Sequence, residues 1–200
     1  MDDVRVVHNE TFRGKDWALA DESRVHYEDC AFHDVDWSES LLTACTFTHC
    51  TFGNVRFNAA TLTRCAIVQS TVTRCSFFDA TLTDCKLTGT RFVDCSLRPL
   101  IIDGGDWSFV SLRGQNLTAV KLGALRMREA DLTGADLTRA DLCDADLTSA
   151  QLKDVVLKGA DLRGARLEGV ALKGLDLTGA KIDVVQAVLV AAAYGAVVSA

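Results

Sequence analysis

Between Phe12 and Ile182 every fifth residue falls on one register, and 34 of its 35 positions are apolar: Phe12, Trp17, Tyr27, Phe32, Trp37, Leu42, Phe47 and onward, with Glu22 the exception. A second, smaller set stands two residues earlier. It runs Ala20, Val25, Cys30, Val35, Ser40, Cys45 and Cys50, and later Ala130, Ala135, Ala140, Ala145 and Ala150, with Gln115 its only large polar member. A spacing of five is commensurate with neither the 3.6-residue period of a helix nor the two-residue period of a strand. Held over most of the chain, it therefore cannot be one face of either element. It specifies a coil that turns the same two positions inward at every side, one large and one small, and leaves three outside. The residues between, such as Asp131, Thr133, Gly134, Asp136 and Thr138, suit exposed turns.

The units Ala130-Asp131-Leu132-Thr133-Gly134, Ala135-Asp136-Leu137-Thr138-Arg139 and Ala160-Asp161-Leu162-Arg163-Gly164 resemble the A(D/N)LxX motif of pentapeptide repeat proteins. That resemblance implies an all-β fold, a right-handed quadrilateral β-helix with 20 residues per coil. Aromatic columns agree with four sides: at a spacing of 20, Phe12, Phe32, Phe52 and Phe92 align, as do Trp17, Trp37, Phe57 and Phe77. The expected organisation is an N-terminal cap over 1–11, the β-helix over 12–182, and a helix with a dimerisation tail over 183–200. At a strand spacing of ~4.8 Å the coils would stack into a rod roughly 40 Å long.

Two defects in the register stand out. Glu22 occupies a central position, where an unpaired buried carboxylate would be very costly, so the first coil is expected to be distorted or open to solvent. The segment Arg98 to Trp107 contains the only proline, Pro99, and the pair Gly104-Gly105, with bulky residues at outward positions. Proline removes a ladder donor and glycine relaxes the backbone, so a bulge or kink is expected there.

Seven of the eight cysteines, Cys30, Cys45, Cys50, Cys65, Cys75, Cys85 and Cys95, take the small inward position that alanine takes later, which reads as packing. His33 and His49 lie near Cys30 and Cys50 but on outward positions, so the pairs cannot converge on a metal. No cofactor motif, nucleophile–base pair or phosphate loop is present, which argues against catalysis. No apolar run reaches the ~20 residues of a membrane span, and the N-terminus lacks a signal core. A cytoplasmic location with reduced thiols is expected.

Charge is banded. Residues 16–39 hold Asp16, Asp21, Glu22, Glu28, Asp29, Asp34, Asp36 and Glu39 against Arg24, a balance of −7. Residues 129–154 hold Glu129, Asp131, Asp136, Asp141, Asp144, Asp146 and Asp154 against Arg139 and Lys153, a balance of −5. Residues 40–78 carry three arginines and no acid. Either the aspartates are simply favoured outward residues of the repeat, or the bands are recognition surfaces. The formal net charge of −6 disfavours binding to nucleic acid directly.

From Asp183 the five-residue register stops. Val184 to Ala193 reads as a helix with Asp183 as N-cap and Gly195 just past its end, and Gln186 is its only strongly polar residue. A helix apolar on every side needs cover on every side. A second copy of the chain could supply it through Val184, Val185, Val188, Leu189, Ala192, Tyr194, Val197 and Val198, giving a homodimer; the alternative is a cap folded back on its own rod.

The uninterrupted rod, the segment Cys95 to Leu100 and the ending Ile182 to Val188 further resemble the gyrase-protecting group of the family, which includes proteins of quinolone and albicidin resistance. That resemblance implies binding to DNA gyrase, and often topoisomerase IV, by imitation of a DNA segment. A ~40 Å length of B-DNA carries roughly 24 charges, so uniform imitation is excluded. Local imitation is not: a dimer through 183–200 would bring two −5 bands together. The long outward loops of Qnr proteins are missing, which shifts the expected contact to the rod face.

Overall fold

The computed structural model describes residues 4–199. Three parallel sheets run along the rod. The first contains β1 (Arg5–His8), β4 (Val25–Glu28), β7 (Thr46–Thr48) and β10 (Ala66–Val68). The second contains β2 (Thr11–Arg13), β5 (Ala31–His33), β8 (Thr51–Gly53), β11 (Thr71–Thr73) and β13 (Arg91–Val93). The third contains β3 (Asp21–Ser23), β6 (Leu41–Thr43), β9 (Thr61–Thr63), β12 (Ala80–Thr83) and β14 (Leu100–Asp103). The fourth side is a column of single bridges, Asp16↔Asp36, Asp36↔Arg56, Arg56↔Ser76 and Ser76↔Ser96. Partners lie 20 residues apart, as in Phe12↔Phe32, Leu42↔Leu62 and, near the far end, Asp161↔Lys181. The fold is the quadrilateral β-helix that the resemblance implies.

Sequence explains the change of texture along the rod. Up to Asp103 many sides carry β-branched and aromatic residues, as in Thr46-Phe47-Thr48, Thr61-Leu62-Thr63 and Thr71-Val72-Thr73, and such residues favour extended backbone. Beyond it the Ala-Asp-Leu-Thr-Gly units close as turns joined by single bridges. The central residues stack in columns, with ring centroids 5.2 Å apart for Phe12 and Phe32, 5.0 Å for Phe32 and Phe52, and 4.8 Å for Phe57 and Phe77. At the small position the thiols donate to carbonyls of the preceding coil, as Cys65 Sγ does to Leu42 O at 3.2 Å, and Thr90 Oγ1 does the same to Ile67 O at 2.6 Å. All eight cysteines are free, and burial pushes the Cys50 thiol up to about 12.

The structure corrects three expectations. The ladder begins before Phe12, because β1 pairs with β4 at the same offset of 20 and Val7 packs against the core. Glu22 distorts nothing: β3 pairs residue for residue with β6, and the carboxylate accepts a 3.0 Å hydrogen bond from the Tyr27 hydroxyl while remaining part-exposed. Burial and the neighbouring Glu22 charge push the Tyr27 phenol upward. At Pro99 there is no bulge, since β14 holds its register against β12 from Ala80↔Leu100 to Thr83↔Asp103. The irregularity lies on the opposite edge of that segment, described below.

One α-helix, α1 (Val184–Ala193), closes the C-terminal end. Asp183 and Gln186 form a capping box, and Gly195 follows with φ of +85°. The burial of α1 is the reverse of its polarity. Gln186 is only 2% exposed and its Nε2 donates to Leu162 O and, at 2.9 Å, to Ala165 O, so it caps the carbonyls of the coil beneath. Val184 and Val185 are 80% and 71% exposed.

Candidate interaction surface

Asp131, Asp136, Asp141 and Asp146 occupy the same position on four successive five-residue sides, so they form a girdle around one coil rather than a patch on one face. Each carboxylate accepts from the backbone N–H two residues on, from Thr133, Thr138, Cys143 and Thr148, at 2.9–3.1 Å. That turn-closing bond is what the repeat gains from aspartate before leucine. Glu129 and Asp144 stand at corners with φ of +54° and +60°.

Cations on neighbouring coils answer part of the charge. Arg113 Nη1 lies 3.1 Å from Asp131, Arg128 Nη1 3.7 Å from Asp146, and Arg126 Nη1 3.7 Å from Asp106. Asp136 and Asp141 form no ion pair among the described residues. The Thr138 hydroxyl and N–H hold the Asp136 carboxyl below its ordinary range. These arginine partners were missed from the sequence, although writing it in rows of 20 places Arg113 and Arg128 one coil before, and two residues along from, their aspartates.

The N-terminal band is likewise distributed. Asp16 and Asp36 share one side, while Asp21 and Glu28 lie on two others. Asp29, Asp34 and Glu39 sit at corners with positive φ. Arg56 Nη2 contacts Asp36 at 2.6 Å, and His8 Nδ1 contacts Glu28 at 2.9 Å. The Arg56 side-chain hydrogen bond, against a raising effect of burial, lowers the Asp36 carboxyl from 3.8 to about 2. A carboxyl depressed on folding contributes stability above its unfolded pKa and loses it as pH falls towards the folded one. Melting temperature should therefore drop between about pH 4 and pH 2, with a shallower drop in Arg56→Gln; equal slopes in thermal melts across that range would contradict the coupling.

Among the residues expected at a dimer contact, Val184, Val185, Val188, Ala192, Tyr194, Val197 and Val198 are exposed, while Leu189 packs partly against the rod's own core. The Tyr194 hydroxyl accepts from Gly174 N at 3.1 Å. Among the described residues no group of three or more His, Cys, Asp or Glu is placed to hold a metal, and no helix is long and apolar enough to cross a membrane.

This architecture defines a class, the four-sided pentapeptide solenoid, and comparison supplies the family. The family model of pentapeptide repeats matches with eight copies, over residues 75–98, 111–149, 126–164 and 150–183. Over those residues the chain is built of pentapeptide repeats. The full-length structure of QnrB1, a plasmid-mediated fluoroquinolone resistance protein, aligns with a TM-score of 0.69 at 18% identity, covering 96% of this chain and 100% of that one. HetL, a pentapeptide repeat protein involved in heterocyst differentiation regulation from the cyanobacterium Nostoc, aligns at 0.61 and 20% identity, covering 88% of this chain and 89% of its own. At these identities the likeness is one of fold. None of the curated proteins matches the sequence.

Proposed function

We propose that this protein is a non-enzymatic binding partner of DNA gyrase, and of topoisomerase IV where that enzyme is present, which acts in the cytoplasm to protect its target from poisons such as quinolones or albicidin. The reading rests on the resemblance to the gyrase-protecting group, and the fold it shares with QnrB1 supports it. The observation that carries it is the girdle of Asp131, Asp136, Asp141 and Asp146 lying close to a terminal helix whose Val184, Val185 and Val188 are exposed. Pairing of two such helices would cover the valines and bring two acidic girdles together at the centre of a homodimer. Because the girdle surrounds the rod, it presents carboxylates on all four sides, and a basic DNA-binding groove would be attracted to it by long-range charge.

A supercoiling assay with purified gyrase, with and without a quinolone or albicidin, tests this. The wild-type protein should inhibit supercoiling or rescue it from the poison. Reversing Asp136, Asp141 and Asp146 together to lysine should weaken the effect at matched salt by about tenfold or more, with the fold intact by circular dichroism. Val184→Lys with Val188→Lys should yield monomers in sedimentation and a comparable loss. No effect of folded wild-type protein on gyrase would leave the second reading, a scaffold for another protein partner, which the equally solenoidal HetL favours.

A further inference from the structure

The coil-to-coil ladder is interrupted in the middle of the rod. Residues 96–104 are fully tied to the preceding coil, through Ser96 N to Cys75 O at 2.9 Å, Asp79 N to Pro99 O at 2.7 Å and the whole of β14 on β12. Residues 116–124 are as fully tied to the following coil, through Leu117 N to Asp136 O at 2.8 Å, Leu122 N to Asp141 O at 2.7 Å and Ala124 N to Cys143 O at 2.8 Å. Between these two segments, among the described residues, there is no backbone hydrogen bond, and the bridges that would join Ser96 to Asn116 and Ile101 to Lys121 are absent. A single side-chain bond, Arg98 Nη1 to Thr118 O at 3.3 Å, crosses the gap.

The gap is a groove of about 470 Å³ between Arg98–Ile102 and Thr118–Lys121. Its burial pattern shows that it opens into the interior: from Tyr27 to Leu172, Ile102 is the only central residue that is not buried. Ile101 beside it is 53% exposed. At the mouth stand Arg98 and Lys121, neither of which forms an ion pair among the described residues, in a chain whose formal net charge is −6. A second groove, between 149–155 and 169–176, belongs to the loosened last coil and carries Asp154 and Asp176 as well as Lys153 and Lys173. It has no such bias of charge.

We propose that the central groove is a binding site for a small apolar anion, of the class of aromatic carboxylates or sulfonates. The volume lies within the ~300–1,000 Å³ of small-molecule sites. Ile101, Ile102 and Val120 offer apolar walls to a ring, the two facing edges offer unpaired backbone donors and acceptors, and Arg98 and Lys121 would hold the acid at the mouth. A ligand seated there would stitch the two halves of the rod where the ladder does not.

The probe is 8-anilinonaphthalene-1-sulfonate, titrated into the full-length protein and followed by fluorescence and by amide chemical shifts. Saturable binding of one probe per chain is expected, with shifts at Leu100–Ile102 and Val120. Arg98→Gln with Lys121→Gln, both at exposed positions, should weaken it by about tenfold or more, the loss expected when charge-assisted bonds are removed. Thr118→Trp, which fills the groove from an outward position, should abolish it. The proposal is overturned if there is no saturable binding, if both variants bind as wild type does, or if binding is lost instead in Val184→Lys with Val188→Lys, which would place the probe on α1.

Discussion

Trp37→Ala should destabilise the protein by about 3–5 kcal/mol, the range for large aromatic truncations in a packed core. The indole is fully buried and stacks between Trp17 and Phe57, with centroids at 5.0 and 5.4 Å, while Phe32 and Phe47 close the same layer at 5.1 and 5.8 Å. In a solenoid each coil is held by its neighbours, so the cavity would weaken two interfaces at once. Trp37→Phe should behave quite differently. The indole Nε1 is buried with no partner, and such an orphan donor costs about 1–3 kcal/mol. Removing it offsets much of the transfer and cavity loss from the smaller ring, so Trp37→Phe should fall within about 1.5 kcal/mol of wild type. Denaturant unfolding of both variants checks this: equal losses would mean that the Nε1 donor carries no cost.

The same residue shows how far the fold could be read in advance. Trp37 is inward because it lies on a period of five, which follows from spacing alone; its neighbours are Trp17 and Phe57 because the coil has 20 residues, which the family resemblance implies and the aromatic columns support. Spacing does not tell which backbone bonds fail to form. Pro99 and Gly104-Gly105 marked the right segment, yet the register against β12 held and the opening appeared on the other edge. Gln186 was hidden for a related reason. It read only as the one strongly polar residue of the helix, but among the described residues no following coil reaches the Ala165 carbonyl, and the amide at the helix start donates to it and to Leu162 O, which already accepts from Ala165 N. The acidic residues were legible as bands in sequence and become a girdle only when folded, because residues five apart face four different directions.

Gly105→Ala should cost about 3 kcal/mol or more, and the reason connects the glycine to the open groove. A Cβ at Gly105 would lie 2.2 Å from Cys85 O and 3.0 Å from Cys85 N, both backbone atoms of the preceding coil, and φ there is +108°. The strained φ and the overlap each cost about 1–3 kcal/mol, and neither can be relieved by a side-chain rotation. Gly114, at φ of +64° with nothing within 4 Å, is the control: Gly114→Ala should cost only about 1 kcal/mol. Missing its side chain, Gly105 lets the segment after β14 press onto Cys85, where Asp106 N still reaches Cys85 O at 3.1 Å. A coil drawn towards the preceding neighbour over 96–104 would be drawn away from the following one there, and the ladder to the following coil resumes only at Trp107 N to Arg126 O, at 2.8 Å. If Gly105→Ala proves no less stable than Gly114→Ala in denaturant unfolding, close approach at Gly105 does not hold the coil, and the opening must have its origin in the bulk of Ile101 and Ile102 instead.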